Sequence, residues 1–258
     1  MGSIVEGSSI NIMIDLINRN NDTDLGSLYN FIQCYAGSND MADTLLAIKL
    51  LDDMTAQFPE TESIFKYSLL ICRMLIDLNM DLSADETDTL IAASLLHMIP
   101  DGQAQSEAYK QLFRKYHIPE NICRIIDLLN ERNTDADEEL SACFAKIQEN
   151  KLALLIALAE QGNIVERLHF LNSWQFRKFI YDTRKYYFSM CIYAKEHYIE
   201  LLSPIGILLE KLRNLTDVAE MLFAKFESME IELTREILQL KEENATIKGI
   251  IQKLKTSC

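Results

Sequence analysis

One histidine stands at the end of an apolar segment, beside residues whose types could support chemistry. The segment reads DTLIAASLLHMIPDG, so His97 follows an almost wholly apolar run and is itself followed by Met98 and Asp101. An imidazole with nearby carboxylates can bind a divalent metal or transfer protons. The alternative is a core histidine whose ring nitrogens are satisfied by hydrogen bonds within the fold.

The segment that carries this histidine has the pattern of a helix that is apolar almost all round. Leu90, Ala93 and Leu96 share one helical face, and Ile91 lies on the next. Such a helix belongs in the centre of a helical core. Pro100 stops it, because proline cannot continue a helix and disfavours helical geometry in the residue before it. We therefore expect a buried helix that ends at the histidine.

The composition is acidic and favours an all-α fold. The 258 residues carry a net charge of −14, with a pI near 4.8. This balance argues against binding to nucleic acid or to an anionic membrane surface, because both need a basic footprint. No apolar run approaches the roughly 18 residues of a membrane span. With eight Gly and four Pro, and no sustained alternation of polar and apolar residues, the chain reads as helical throughout.

The cysteines indicate reduced thiols and therefore a cytoplasmic protein. No CxxC pair occurs, and most of the thiols fall inside apolar helical patterns rather than at the spacing of a zinc site or a disulfide framework. The six positions are Cys34, Cys72, Cys123, Cys143, Cys191 and Cys258.

Changes in patterning divide the chain into three parts. Residues 1–26 are polar and rich in turn formers, which indicates a flexible or short helical arm. Residues 27–203 contain successive amphipathic segments separated by polar breaks, as in a helical bundle. Residues 204–258 have the pattern of a coiled coil. No internal repeat of 20–50 residues is evident, so a solenoid is not expected.

The C-terminal part follows a heptad pattern from residue 208, with a four-residue step before Ile237 that resets the register. Asn244 is then a lone polar residue at an a position, and Glu236 and Lys241 place opposite charges at g and e. This combination specifies a parallel two-stranded coil, so we expect a homodimer. The alternative is one amphipathic helix that folds back on the globular part. The predicted seam comprises Ile237, Leu240, Asn244, Ile247, Ile251 and Leu254.

One local stripe is basic in this otherwise acidic chain. Arg177, Lys178, Arg184 and Lys185 alternate with aromatic residues. They could contact a phosphate, a nucleotide base or an acidic partner. The alternative, which we prefer, is the solvated face of a helix whose aromatic face lies in the core.

The order of the helical segments resembles that of a known hydrolase family. AIKLLDDMTAQF, ESIFKYSLLICRMLIDLNM and ADETDTLIAASLLHMIPDG follow one another as do the first helices of the hydrolase (HD) domain of RelA/SpoT-type (p)ppGpp synthetase/hydrolases and small alarmone hydrolases. YKQLFRKYHIPENICRIIDLL is similar to the next helix pair, KLALLIALAE to the LxxLIKLAD helix, and DTRKYYFSMC to ETLEIYAPLA. The resemblance spans Leu28 to about Tyr193. It implies an HD-like helical bundle, and it does not extend to the synthetase domain.

The resemblance also implies where a metal site would lie. The family binds a metal ion, usually manganese, through a first histidine, a His-Asp pair and a distant aspartate, and the metal activates the water that attacks the 3′-pyrophosphate. The matching positions here hold Tyr67, the pair His97 and Met98, and Glu160. Asp101 matches the first residue of the Glu-Asp pair assigned to activating water.

The alignment leaves the distant acidic ligand open between two residues. Glu166 matches if ERLHFL is taken for the family's DRLHN motif, whereas Glu160 aligns without a gap and is preferred. The family's asparagine then falls on Ile164, or on Phe170 in the other frame.

These departures predict a pseudoenzyme. The thioether of Met98 supplies neither the hard oxygen nor the charge that manganese or magnesium requires. We therefore expect a non-catalytic, HD-like binding or scaffold protein that uses no cofactor, with a pocket around Tyr67, His97, Met98, Asp101 and Glu160. The alternative is a Mn²⁺-dependent phosphohydrolase that acts on (p)ppGpp or a related nucleotide through an altered site.

Overall fold

The computed structural model describes residues 24–57, 62–99, 106–132, 136–164 and 173–256, and these ranges contain helices and connecting turns but no strand. The all-α prediction is therefore confirmed. The helices in chain order are α1 (Leu25–Ser38), α2 (Ala42–Gln57), α3 (Glu62–Asp77), α4 (Ala84–Leu96), α5 (Ser106–Lys115), α6 (Glu120–Asn130), α7 (Asp137–Glu149), α8 (Lys151–Gly162), α9 (Ser173–Asp182), a π-helical turn (Thr183–Tyr187), α10 (Phe188–His197), a 3₁₀ turn (Ile199–Leu201) and α11 (Leu202–Thr256). Most of the arm predicted for residues 1–26 lies outside the described residues.

Helix α4 is the centre of the bundle, as its apolar pattern predicts. Every residue from Thr89 to Leu96 is buried, and the helix packs against α2, α3, α6 and α8. It begins with a capping box in which Ser83 accepts from the Glu86 backbone while the Glu86 carboxylate accepts from the Ser83 backbone. It ends at Leu96, with His97 as its C-cap. The predicted helix end is thus confirmed.

Helix α8 is the second buried helix. All of its residues from Ala153 to Ala159 have no exposed surface, and it contacts α3, α4, α6, α7 and α11. At its first turn Lys151 forms ion pairs with Glu86 (2.5 Å) and Glu200 (3.3 Å). Because a helix buried on all sides cannot tolerate an unpaired charge, Glu160 near its carboxyl end needs a partner inside the fold.

Helix α11 belongs to the bundle in its first half and leaves it in its second. Along the predicted heptad, Leu208, Leu212 and Ala219 are buried in contact with the bundle. Every described side chain from residue 228 to residue 252 is exposed. The helix has 55 residues, which corresponds to about 80 Å at 1.5 Å per residue. The fold-back alternative therefore describes its first half, and the surface open to self-association lies in its second.

The basic stripe is held in ion pairs. Arg177 pairs with Glu227 at 2.5 Å and Arg184 with Glu220 at 2.7 Å, so both attach α11 to the preceding helices. Of the other two, Lys178 lies 4.0 Å from Asp182 and Lys185 lies 2.5 Å from Asp137. Since each cation has a carboxylate partner, the stripe is a solvated, paired helix face rather than an open anion site.

The five described cysteines are free thiols. Cys72, Cys143 and Cys191 are buried, Cys123 is half-buried and Cys34 is exposed. Burial raises the pKa of Cys72 and of Cys191 to about 12, so both stay protonated at neutral pH. In the part of the chain that the structure describes, no helix combines the length and the apolar character that a membrane crossing requires.

Asp88 joins α4 to the start of α2. Its carboxylate accepts hydrogen bonds from the backbone nitrogens of Asp43 (3.0 Å) and Thr44 (2.7 Å) and from the Thr44 hydroxyl (2.7 Å). Thr44 is fully buried. A side chain of the central helix therefore satisfies the first backbone donors of another helix.

We expect Asp88→Ala to lower the free energy of unfolding by about 2–3 kcal/mol, because buried donors lose a charged acceptor. Urea unfolding at one fixed protein concentration measures the change. Asp81→Ala, in the exposed turn before α4, is the matched control and should leave stability unchanged. Equal stability of the two variants would contradict this role of Asp88.

Candidate functional site

The side chain of His97 is buried and oriented by the backbone. It is 2% exposed, and its Nδ1 lies 2.8 Å from the Ser94 carbonyl oxygen. A carbonyl oxygen only accepts, so Nδ1 donates the proton of this hydrogen bond. Nε2 lies 3.9 Å from a carboxylate oxygen of Glu160. The ring is thus held by a backbone carbonyl of its own helix, with the Glu160 carboxylate beside it beyond hydrogen-bond distance.

Glu160 connects three elements at the carboxyl end of α8. Its backbone carbonyl accepts from the hydroxyl of Tyr67 on α3 at 3.0 Å. Its carboxylate, besides facing His97, accepts from the guanidinium of Arg132 at 2.6 Å. The side chains of Arg132 and Glu160 are 14% and 22% exposed, so the two charges attract each other in a largely dehydrated environment.

Three nitrogens of the Arg132 guanidinium have partners. Nε donates to the Leu129 carbonyl (2.8 Å), one terminal nitrogen donates to the hydroxyl of Tyr187 (3.1 Å), and the other donates to Glu160. Burial alone would lower the pKa of Arg132, but the Glu160 carboxylate and Tyr187 outweigh it and raise that pKa. Burial also raises the pKa of Tyr187 to about 12, so its hydroxyl stays neutral. The guanidinium is a fixed cation.

Local features of the chain bring these groups together. Arg132 follows α6, and Asn130 at the end of that helix donates to the His97 carbonyl at 3.4 Å. Tyr187 lies in the π-helical turn Thr183–Tyr187, a rare kind of turn within helices. The ends of α4, α6 and α8 and this turn therefore meet around one buried ion pair.

The structure brings three of the five predicted pocket residues together. Tyr67, His97 and Glu160 meet as described, and Met98 is 9% exposed immediately after the histidine. Asp101, as well as the alternative ligand Glu166, lies outside the described residues. Among the described residues, no group of three or more His, Cys, Asp or Glu side chains is arranged to hold a metal ion.

Sequence reasoning missed Arg132 and Tyr187. The sequence predicts Arg132 at the polar end of the helical segment PENICRIIDLLNER, just before the loop NTDADEE, and nothing there marks this arginine as buried. The available signal was Glu160 itself, since a carboxylate at the end of the apolar run KLALLIALAE requires a cation from elsewhere in the chain.

The second half of α11 forms a separate candidate surface. Ile237, Leu240, Ile247 and Ile251 are 46–56% exposed. Asn244 is also exposed and donates to the Leu240 carbonyl of its own helix at 3.0 Å. The helix includes residue 254, but the side chain of Leu254 lies outside the described residues.

A scan against protein-family models finds no match for the chain, and searches of curated proteins and of solved structures also find none.

The chemistry of the buried cluster differs from that of a hydrated metal centre. An arginine guanidinium keeps its proton and donates hydrogen bonds in a fixed plane, whereas a divalent cation binds water and lowers its pKa. Because Arg132 lies against the carboxylate, it balances the charge of Glu160 and repels a second cation. The described geometry therefore favours a structural ion pair with a histidine beside it.

We expect Arg132→Met to destabilise the protein by about 3 kcal/mol, because it leaves Glu160 largely buried without a cation. The double variant Arg132→Met/Glu160→Gln should recover at least half of that loss, since it removes both charges. Urea unfolding of the four proteins in this cycle measures the coupling.

Arg124→Met is the control for the loss of an arginine. Arg124 forms a pair with Glu120 in which both side chains are largely exposed, so its replacement should leave stability unchanged. Additive losses in the Arg132 and Glu160 cycle would contradict a coupled buried pair.

Proposed function

We propose that this protein is a non-catalytic, HD-like cytoplasmic binding or scaffold protein that dimerises through the second half of α11. The observation that carries the non-catalytic part is the Arg132–Glu160 ion pair. The resemblance to the RelA/SpoT-type hydrolase domain implies where the metal ligands would lie. The ion pair neutralises the carboxylate at one of these positions, which disfavours metal binding there.

The charges of the side chains at these positions disfavour the binding of a divalent metal ion. In the family a divalent cation neutralises the distant acidic ligand and activates water. Here the carboxylate of Glu160 is neutralised by Arg132 at 2.6 Å, and Met98 stands where an aspartate would bind the metal. A guanidinium cannot replace the Lewis acid, because it neither coordinates water nor lowers its pKa.

Dimerisation is supported by the exposed apolar stripe of α11. An isolated helix with large apolar side chains in water gains little from propensity alone and is stabilised by burying that stripe. A second copy in parallel would bury the a and d positions and pair Asn244 with its equivalent. Glu236 would then face Lys241 of the other copy, as Glu243 would face Lys248.

The short distance between His97 and Glu160 supports a second candidate function. His97 Nε2 and Glu160 Oε2 lie 3.9 Å apart, so two of the family's ligand positions converge. A Mn²⁺-dependent phosphohydrolase acting on (p)ppGpp or a related nucleotide would hold the metal with these two groups, and Asp101 would take the position that the family uses to activate water.

We expect the full-length chain to sediment as a dimer, and Ile247→Lys to sediment as a monomer, because a lysine at a d position places a charge in the seam. Sedimentation velocity over a range of concentrations measures both. Thr246→Lys, on the exposed side of the same turn, should remain dimeric. A monomeric or trimeric wild type, or a dimer that survives Ile247→Lys, would refute the parallel two-stranded coil.

We expect no release of pyrophosphate from (p)ppGpp above the protein-free blank when Mn²⁺ is supplied, because Arg132 holds the carboxylate that the metal would need. A coupled pyrophosphate assay measures this. Turnover that is abolished by His97→Ala and retained by the surface variant Arg124→Met would overturn the non-catalytic proposal in favour of the phosphohydrolase.

A further inference from the structure

A cleft of about 830 Å³ lies between α1, α3 and the first half of α11, and Asn163, after α8, also lines it. Its volume falls in the range of small-molecule sites, roughly 300–1,000 Å³. Most of its lining is apolar, with side chains from all three helices. These are Leu28, Leu70, Leu78, Ile207, Leu208 and Leu215.

Lys211 brings a positive charge to this largely apolar cleft. Its Nζ lies 3.0 Å from the sulfur of Met74, and a thioether is a weak acceptor. Among the described residues, no carboxylate lies within ion-pair distance of Lys211. Burial lowers the pKa of Lys211, so the folded chain disfavours its charge as it stands. An anionic ligand would reverse that effect.

Asn163, which also lines the cleft, has a side-chain donor without a partner among the described residues. It is the C-cap of α8 and is 5% exposed. Its side-chain nitrogen Nδ2 is buried and has no hydrogen-bond partner within the part of the chain that the structure describes. A buried polar group without a partner costs free energy, so a ligand atom that accepted a hydrogen bond from Asn163 would recover that cost.

The other charged residues of the cleft limit how much negative charge a ligand can carry. Arg73 is engaged by both carboxylate oxygens of Asp77, at 2.9 and 2.8 Å, and its guanidinium lies 3.8 Å from the centre of the Phe31 ring. Glu210 is exposed and adds a negative charge to the lining. Among the described residues that line the cleft, Lys211 is therefore the one cation without a carboxylate partner.

We propose that this cleft binds a small amphipathic ligand with an apolar body and a single carboxylate, which accepts hydrogen bonds from Lys211 and Asn163. One available cation matches one negative charge, and the apolar lining matches a hydrocarbon body. A nucleotide polyphosphate fits less well, because its further charges would face Glu210 and apolar side chains. This site does not depend on the proposed pseudoenzyme or dimer function.

The test uses decanoate and its uncharged analogue decanol with the full-length protein. Isothermal titration calorimetry should detect one decanoate per chain, and decanol should bind at least tenfold more weakly. Lys211→Met keeps a side chain of similar length without the charge, so it should weaken decanoate binding tenfold to a hundredfold. Lys225→Met, on an exposed position of the same helix, should bind as the wild type does.

A second variant blocks the cleft without altering its charge. Asn214 is an exposed residue of the lining, and Asn214→Trp should abolish decanoate binding by filling the space while circular dichroism remains that of the wild type. No decanoate binding to the wild type would overturn the proposal. Equal binding of decanol, or binding unchanged in both Lys211→Met and Asn214→Trp, would also overturn it, since the ligand would then be bound elsewhere.

Discussion

The ion pair between Arg132 and Glu160 is the interaction around which the bundle is arranged. A carboxylate at the end of a buried helix is tolerated only with a counter-charge inside the fold. The guanidinium supplies that charge at 2.6 Å, and the hydroxyl of Tyr187 and the Leu129 carbonyl fix its plane. The ion pair thus lies at the point where the ends of α4, α6 and α8 meet the π-helical turn. His97 lies beside the same carboxylate, with Nε2 at 3.9 Å.

Helix α11 shows how one apolar stripe can serve two purposes. Its first half completes the core, and ion pairs from Arg177 and Arg184 attach it to the preceding elements. Its second half continues the helix away from the bundle with its apolar residues exposed. Lys211 lies in the first half, where the helix forms one wall of the cleft. The helix therefore links the core, the candidate ligand cleft and the proposed dimer seam.

The local parts of the fold were predictable from the sequence, and the tertiary partners were not. The apolar run before His97 predicted a buried helix that ends at the histidine, because periodicity and Pro100 determine both. Glu160 was predictable as a neighbour of His97 only through the family resemblance. Arg132 was not predictable, since a buried arginine and an exposed arginine at the end of a helical segment look alike in sequence. The heptad pattern likewise does not distinguish residues that face the bundle, such as Leu212, from residues left exposed, such as Leu240.

A Mn²⁺ titration followed by electron paramagnetic resonance tests the central claim most directly, because free Mn²⁺ gives a signal that protein binding broadens. If Arg132 neutralises Glu160 as the buried cation, the wild-type protein should leave millimolar Mn²⁺ free, and Glu160→Gln should behave in the same way. One tightly bound Mn²⁺ per chain that is lost in both Glu160→Gln and His97→Ala would contradict the claim and identify a metal centre in place of the ion pair.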